Sequence, residues 1–292
     1  IYSQDANLIV SLLDLHPTVP GTDGEKLEIF EAGTGHGALT LYLARAIHAA
    51  NTFPPEIPHD ILLPNPSQSL TKEKYEEWRE QRRAIIHSLD NEEKHSNHAA
   101  ANIKRYRSGI YFPHINFYTG CIEDFFSGKI KPIPEVPFLD HAILDLPSPD
   151  KYMGIVSNAL KENGFLLVFV PSISQIIKAL LRARSEGSPL VLDHVLELGG
   201  MIGTGGREWD VRPVKPRARV RAESAETSSF DNHNIIEQLD DSTQLDLNSS
   251  ISNLQGWEMV CRPKVGLRTT NGGFVGVWRK VHRLVFGLSR VI

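Results

Sequence analysis

The sequence is poor in cysteine, in uninterrupted apolar stretches and in excess positive charge. Its two cysteines, Cys121 and Cys261, supply neither a disulfide framework nor a zinc motif, so a reducing compartment is the expectation. No apolar run reaches the length of a membrane span, so no membrane partner is expected. The formal net charge is -4, so any affinity for nucleic acid must come from a local patch. No segment repeats. What is present is a chain of 292 residues, 41% hydrophobic, which suffices for one large α/β domain with insertions or for two small domains. The chain opens on Ile1 rather than Met and enters a motif at once. The expectation is a start partway into a longer protein, with a presequence or N-terminal domain before it.

Apolar runs alternate with helical patterns through the first two thirds, the mark of βαβ units and a mostly parallel sheet. Helices are expected over Ala6 to Leu15, Leu39 to Ala50, Asn91 to Arg107, Met153 to Lys161 and Ser174 to Arg184. Strands are expected at Leu27 to Glu31, Ala84 to Leu89, Ile115 to Thr119, Leu139 to Leu146 and Phe165 to Val170. Val191 to Leu198 and Gly273 to Trp278 read as a last, antiparallel pair at one edge. Their apolar character exceeds what one edge needs, which predicts an oligomer surface there. Residues 52–83 and 222–247 read as insertions, the first helical from Thr71 to Arg83. The second carries seven acidic residues and no Lys or Arg, and reads as a flexible loop. Just before it stand Arg212, Lys215, Arg217, Arg219 and Arg221, a candidate phosphate-contacting run whose alternative is a solvated surface.

The strongest local signal is Glu31-Ala-Gly-Thr-Gly-His-Gly37, between a predicted strand and a predicted helix. Glycines allow a sharp turn and close approach of backbone to ligand. The spacing is G-x-G-x-G rather than G-x-G-x-x-G, and an acid stands two places before the first glycine. That suits a methyl donor, whose ammonium needs a carboxylate, better than a dinucleotide; an ordinary glycine turn is the alternative. Asp90 closes the second strand, where a carboxylate can accept ribose hydroxyls, or can cap the helix that follows. Asp145 closes the fourth strand in Leu144-Asp-Leu-Pro-Ser-Pro149, at the edge where open sheets bind ligands. A carboxylate there can accept a hydrogen bond from adenine N6 and balance charge growing on the ring. A turn-forming Asp before proline is its alternative. His95 and His98 read as solvent-facing or pocket-lining, and no metal is expected.

The motifs, in order, resemble those of the tRNA adenine-58 N1-methyltransferases. Ile1-Tyr-Ser-Gln-Asp-Ala6, Glu31 to Leu41, Asp140 to Pro149, Val170-Pro-Ser-Ile-Ser-Gln175, Arg207-Glu-Trp-Asp-Val-Arg212 and Gly272-Gly-Phe-Val275 carry the resemblance, over about two thirds of the chain. It looks closer to the single-gene bacterial, archaeal and mitochondrial branch than to the nuclear heterodimer's catalytic subunit. The resemblance implies a Rossmann-type class I methyltransferase, a seven-stranded doubly wound α/β sheet occupying residues 1–292, without the family's small N-terminal β domain. It implies S-adenosyl-L-methionine as cofactor and tRNA, or rRNA, as partner. It also implies a homo-oligomer, a tetramer, or docking on a larger RNA–protein assembly, and a mitochondrial address, with a nuclear or cytoplasmic one as the alternative. Glu31, Gly33 and Gly35 would line the methionine part of the donor, with Thr34, Gly37 and Ala38 in the same turn. Asp90 would hold the ribose with His95 nearby, and Cys121 and Ile122 would flank the adenine. Asp145 would be the catalytic carboxylate and Tyr2 would meet the target base.

Three positions depart from the family pattern. Cys121 stands where many relatives have an acid, Asp150 where many have Trp, and Phe169 where Tyr is frequent. These departures support an alternative in which the chain keeps the fold as an RNA-binding or ribosome-associated scaffold with weakened or lost turnover. Glu31, Asp90 and Asp145 argue for the enzyme.

Overall fold

The computed structural model describes residues 3–55, 69–198, 209–214, 258–263 and 273–282. Two compact units are distinguished, Ile1–Ile202 with Arg268–Ile292, and Gly203–Leu267.

The first unit is built on a seven-stranded sheet. Its strands are β1 (Leu27–Ala32), β2 (Ala84–Asp90), β3 (Ile115–Thr119), β4 (Leu139–Leu144), β5 (Leu160–Val170), β6 (Leu190–Glu197) and β9 (Phe274–Lys280). Their order is β3-β2-β1-β4-β5-β9-β6. β1 pairs in parallel with both β2 and β4, and β9 runs antiparallel to both β5 and β6. The chain steps outward from β1 to β2 and β3, then returns to β1's other side with β4. That reversal falls between the carboxyl ends of β1 and β4, and in open α/β sheets the ligand crevice lies outside such a point.

The period of two along the strands supplies both layers. Ile29, Ile86, Ile143 and Leu167 face one way, onto Ile9 and Leu13 of α1 (Ser3–Leu12) and its end, Leu43 and Ile47 of α2 (Ala38–Ile47), and Ile103 of α4 (Glu93–Arg105). Phe30, Leu89, Leu144 and Leu166 face the other way. There they meet Phe125 of α5 (Ile122–Phe126), Met153 and Val156 of α6 (Met153–Ala159), and Ile176 and Ala179 of α7 (Ile173–Ser185). The doubly wound sheet is therefore the one expected.

Several boundaries differ from those the periodicity suggests. α1 ends at Leu12, before the left-handed Asp14. α4 stops at Arg105 because Arg107 and Ser108 both turn left-handed. α6 ends at Ala159, and β5 begins at once, five residues before the apolar core of that strand. Helix α3 (Ser69–Glu80) lies where a helix is expected before β2. The oligomer surface expected at Gly273 to Trp278 is not exposed: β9 lies between β5 and β6, and Phe274 to Trp278 are all buried. Of this pair it is β6 that lies at an edge, with Val191 and Val195 exposed. The second unit holds a pair that the apolar pattern does not announce, β7 (Trp209–Val214) antiparallel to β8 (Glu258–Pro263). Residues 222–247 lie outside the described residues. No described helix is long and apolar enough to cross a membrane.

Candidate active site at the switch point

The glycine turn leaves β1 and doubles back over the end of β2. The Gly33 N–H donates to Leu89 O at 2.9 Å and the Gly37 N–H to Thr34 O at 2.9 Å. Gly33, Gly35 and Gly37 all have positive φ, at 98°, 54° and 79°. Their reasons differ. A Cβ on Gly33 would lie 2.0 Å from Asp145 O, so this glycine lets β1 and β4 close together. A Cβ on Gly37 would press on Ala99 and Ile103, so that glycine seats α2 against α4. A Cβ on Gly35 would meet only the Gly33 carbonyl, 4.0 Å away, and would otherwise enter open space. Ala38 is exposed at the start of α2. Thr34 is buried, with its Oγ1 2.7 Å from Ser88 Oγ, so its side chain ties the turn to β2.

Three carboxylates surround this turn. Glu31 is buried, and its Oε2 accepts from Thr40 Oγ1 at 2.6 Å and from Ser88 Oγ at 2.8 Å. Burial lifts it to about 7 against the pull of those two hydroxyls, and the charges of Asp145 and Asp90 raise it further. Asp90 uses both oxygens. Its Oδ2 accepts from the Gly35 N–H at 3.0 Å and its Oδ1 from the Glu92 N–H at 3.0 Å. Asp90 therefore braces the glycine turn and the entry to α4, where Glu92 and not Asp90 is the capping residue. His95, on the first turn of α4, lies 3.4 Å from Asp90 Oδ1. The Asp145 N–H is fixed to Ala32 O at 2.9 Å. Its carboxylate has no hydrogen-bond or ion-pair partner among the described residues, and burial raises it to about 6.

The remaining candidate residues fall nearby or outside. Cys121 is exposed and caps α5, its Sγ accepting from the Asp124 N–H at 3.4 Å. Ile122 beside it is buried in the core. Arg212 lies on β7 opposite Val260. Tyr2, Lys215, Arg217, Arg219 and Arg221 lie outside the described residues. Of the departures, Phe169 packs against the core, and Asp150 is buried and paired with cations of α7. Sequence reasoning missed Ser88 and Thr40, which hold Glu31. A hydroxyl inside the apolar run Ile85-Ile-His-Ser-Leu89 was the available signal.

No lysine or arginine among the described residues pairs with Glu31, Asp90 or Asp145. Among the described residues the turn is thus flanked by acids and by no Lys or Arg. A pyrophosphate would be repelled there, whereas an ammonium or sulfonium would be attracted. The open face at Gly35, the partnerless Asp145 and this acidic set fit a cationic amino-acid donor.

No family model matches the chain. It is 28% identical to the tRNA (adenine(58)-N(1))-methyltransferase TrmI of Thermus thermophilus over 211 residues, 72% of this chain and 60% of that protein. TrmI from a second strain of the same organism matches with the same identity and coverage. The chain is similar to the tRNA adenine-58 N1-methyltransferases. It spans 60% of the length of these curated relatives. Among solved structures, TrmI from Aquifex aeolicus aligns at 16% identity and TM-score 0.45, covering 97% of this chain and 67% of that one. An S-adenosylmethionine-dependent O-methyltransferase from Thermotoga maritima aligns at 14% and 0.48, with 97% of this chain and 67% of that one covered. The strand order and the antiparallel β9 are those of a class I methyltransferase sheet.

Proposed function

We propose that the chain is an S-adenosylmethionine-dependent RNA methyltransferase that places the methyl on N1 of an adenine, and that its substrate is position 58 in the tRNA T-loop. The observation that carries the reading is the set of acids, Glu31, Asp90 and Asp145, around the glycine turn at the switch point, with no hydrogen-bond or ion-pair partner for the Asp145 carboxylate among the described residues. Similarity to the Thermus enzymes supports the choice of base and RNA. Bound S-adenosylmethionine supplies a methyl group on a positively charged sulfur. Glu31, through the polar end of the crevice, sets the charge that its ammonium requires. Gly33 and Gly35 leave room for the methionine part, and Asp90 holds the ribose while bracing the turn. Cys121 and Ile122 border the adenine pocket. Asp145 accepts from N6 of the target base and balances the positive charge that develops as N1 is alkylated. Neutral N1 has a free lone pair, so no strong base precedes attack, and positioning with charge stabilisation does the work. The target base leaves its stack to reach the pocket, with Tyr2 packing on it.

The same reading assigns phosphate contacts to Arg212, Lys215, Arg217, Arg219 and Arg221, a tetrameric state using the exposed edge of β6, and a mitochondrial address drawn from the branch resemblance. The deciding experiment maps N1-methyladenosine across cellular RNAs with and without the protein. Loss confined to position 58 of tRNAs supports the assignment. Loss at an rRNA adenine moves it to another RNA, and an unchanged map removes it.

A further inference from the structure

The loop that follows Asp145 is fixed firmly at one end only by its own backbone. The near end is held by the Asp145 N–H on Ala32 O at 2.9 Å. Beyond it come Leu146, Pro147, Ser148 and Pro149, and the two prolines have no N–H to donate. Ser148 is left-handed, at φ 55° and ψ 52°, a conformation that a non-glycine residue keeps only when its surroundings hold it. The backbone bonds that follow, Lys151 N–H to Ser148 O and Tyr152 N–H to Pro149 O, are local and close only the short turn itself.

The far end packs on the core through buried Pro149 and part-buried Tyr152, and is tied to α7 by one charged side chain. Asp150 is 5% exposed, and its Oδ2 lies 3.4 Å from Arg182 Nη1 and 3.6 Å from Lys178 Nζ, both on α7. Lys178, Arg182 and Glu186 are spaced by four and share one helix face. Glu186 holds the Arg182 Nε at 2.7 Å and so orients the guanidinium. A buried carboxylate stripped of its counter-ions is strongly unfavourable, so the loop goes where α7 carries the charges. An ion pair on a helix surface is ordinarily a minor contribution. This one differs in that the acid is buried and lies five residues from Asp145.

We propose that Asp150 is a positioning residue for Asp145: its pairing with Arg182 and Lys178 clamps the far end of the loop to α7 and so holds Asp145 at the end of β4. The proposal rests on the role given to Asp145 above. It gives the buried Asp150, a departure from the resembled pattern, a physical function as an ionic clamp.

The test combines amide hydrogen exchange with kinetics on the full-length protein. In Asp150→Ala, and in Arg182→Ala with Lys178→Ala, exchange across residues 146–152 rises by about tenfold or more while β4 and β5 are unchanged. The turnover rate on tRNA falls by about tenfold, with donor Kd and the KM for RNA within about threefold of wild type. In the Asp145→Ala background, Asp150→Ala lowers turnover no further, because the two act through one group. The α7 variants alter an exposed helix face and carry the test if Asp150→Ala does not fold. Unchanged exchange overturns the clamp. Wild-type turnover in an active enzyme, or a loss that adds in full to that of Asp145→Ala, overturns the positioning role alone. A wild type that methylates no RNA overturns the assignment of function, and the positioning role with it.

Discussion

Gly33 and Asp145 meet across the reversal of the sheet: a Cβ on Gly33 would stand 2.0 Å from the Asp145 carbonyl oxygen. That approach links the glycine turn to the strand that ends in the proposed catalytic carboxylate. Gly33→Ala therefore forces β1 and β4 apart and also strains a backbone at φ 98°. The expected loss of stability is on the order of 3 kcal/mol. Gly35→Ala has open space in front of it and should lose only about 1 kcal/mol of stability. Its methyl projects toward the proposed donor instead, so donor affinity falls more than stability does. Denaturant melts beside donor titrations check the contrast; equal effects of the two substitutions on folding would remove it.

Asp90 binds the Gly35 and Glu92 amides and, in the proposed complex, the donor ribose. Asp90→Ala should weaken donor binding by roughly 2–4 kcal/mol while the sheet stays folded. Calorimetric titration measures this. Unchanged affinity would leave Asp90 as a brace for the turn alone.

Glu31 titrates near 7 because it is buried, against hydrogen bonds that favour its ionised form. A cationic donor prefers the ionised carboxylate, so affinity should rise as pH passes upward through about 7. Stability of the ligand-free protein runs the other way. A carboxyl with a raised folded pKa contributes fully below its unfolded value of 4.5, and that contribution disappears as pH rises through about 7. Glu31→Gln should flatten both profiles, leaving only the donor's own titration. Titrations and thermal melts at a series of pH values decide it, and an unaltered affinity profile in the variant would place the effect elsewhere.

Neutralising Arg217, Arg219 and Arg221 together should weaken RNA binding without changing donor affinity. Each phosphate interaction removed reduces the slope of log affinity against log salt by roughly one unit. A slope equal to that of wild type would mark the run as solvated surface.

The glycine turn was legible because its signal is local. Glycines at fixed spacing between a strand and a helix, with acids at three strand ends, carry their meaning in the sequence. β1 to β5 were legible because each is a short apolar run with its own turn signal. The fate of β9 was not, since an apolar strand reads alike at an edge and between two neighbours; only the pairing with both β5 and β6 decides it. The stops of α1 and α4 depend on left-handed Asp14, Arg107 and Ser108, and none of these is the glycine that would announce them. The pairing of Asp150 with Arg182 and Lys178 joins residues about thirty apart, beyond any local pattern. The departure at Asp150, read alone, points toward lost turnover; its partners on α7 give it a different meaning.

The proposed mechanism turns on Asp145 stabilising charge on an adenine during methyl transfer. Its interaction strengthens toward the transition state, so its loss should lower turnover more than ground-state binding. The measurement is a single-turnover assay with labelled donor and tRNA, run on wild type and Asp145→Ala beside a donor titration. Wild type should place label on N1 of adenine, and the variant should be slower by about a hundredfold or more with donor affinity largely retained. Transfer by Asp145→Ala at the wild-type rate, or no transfer by wild type despite tight donor binding, would contradict the mechanism.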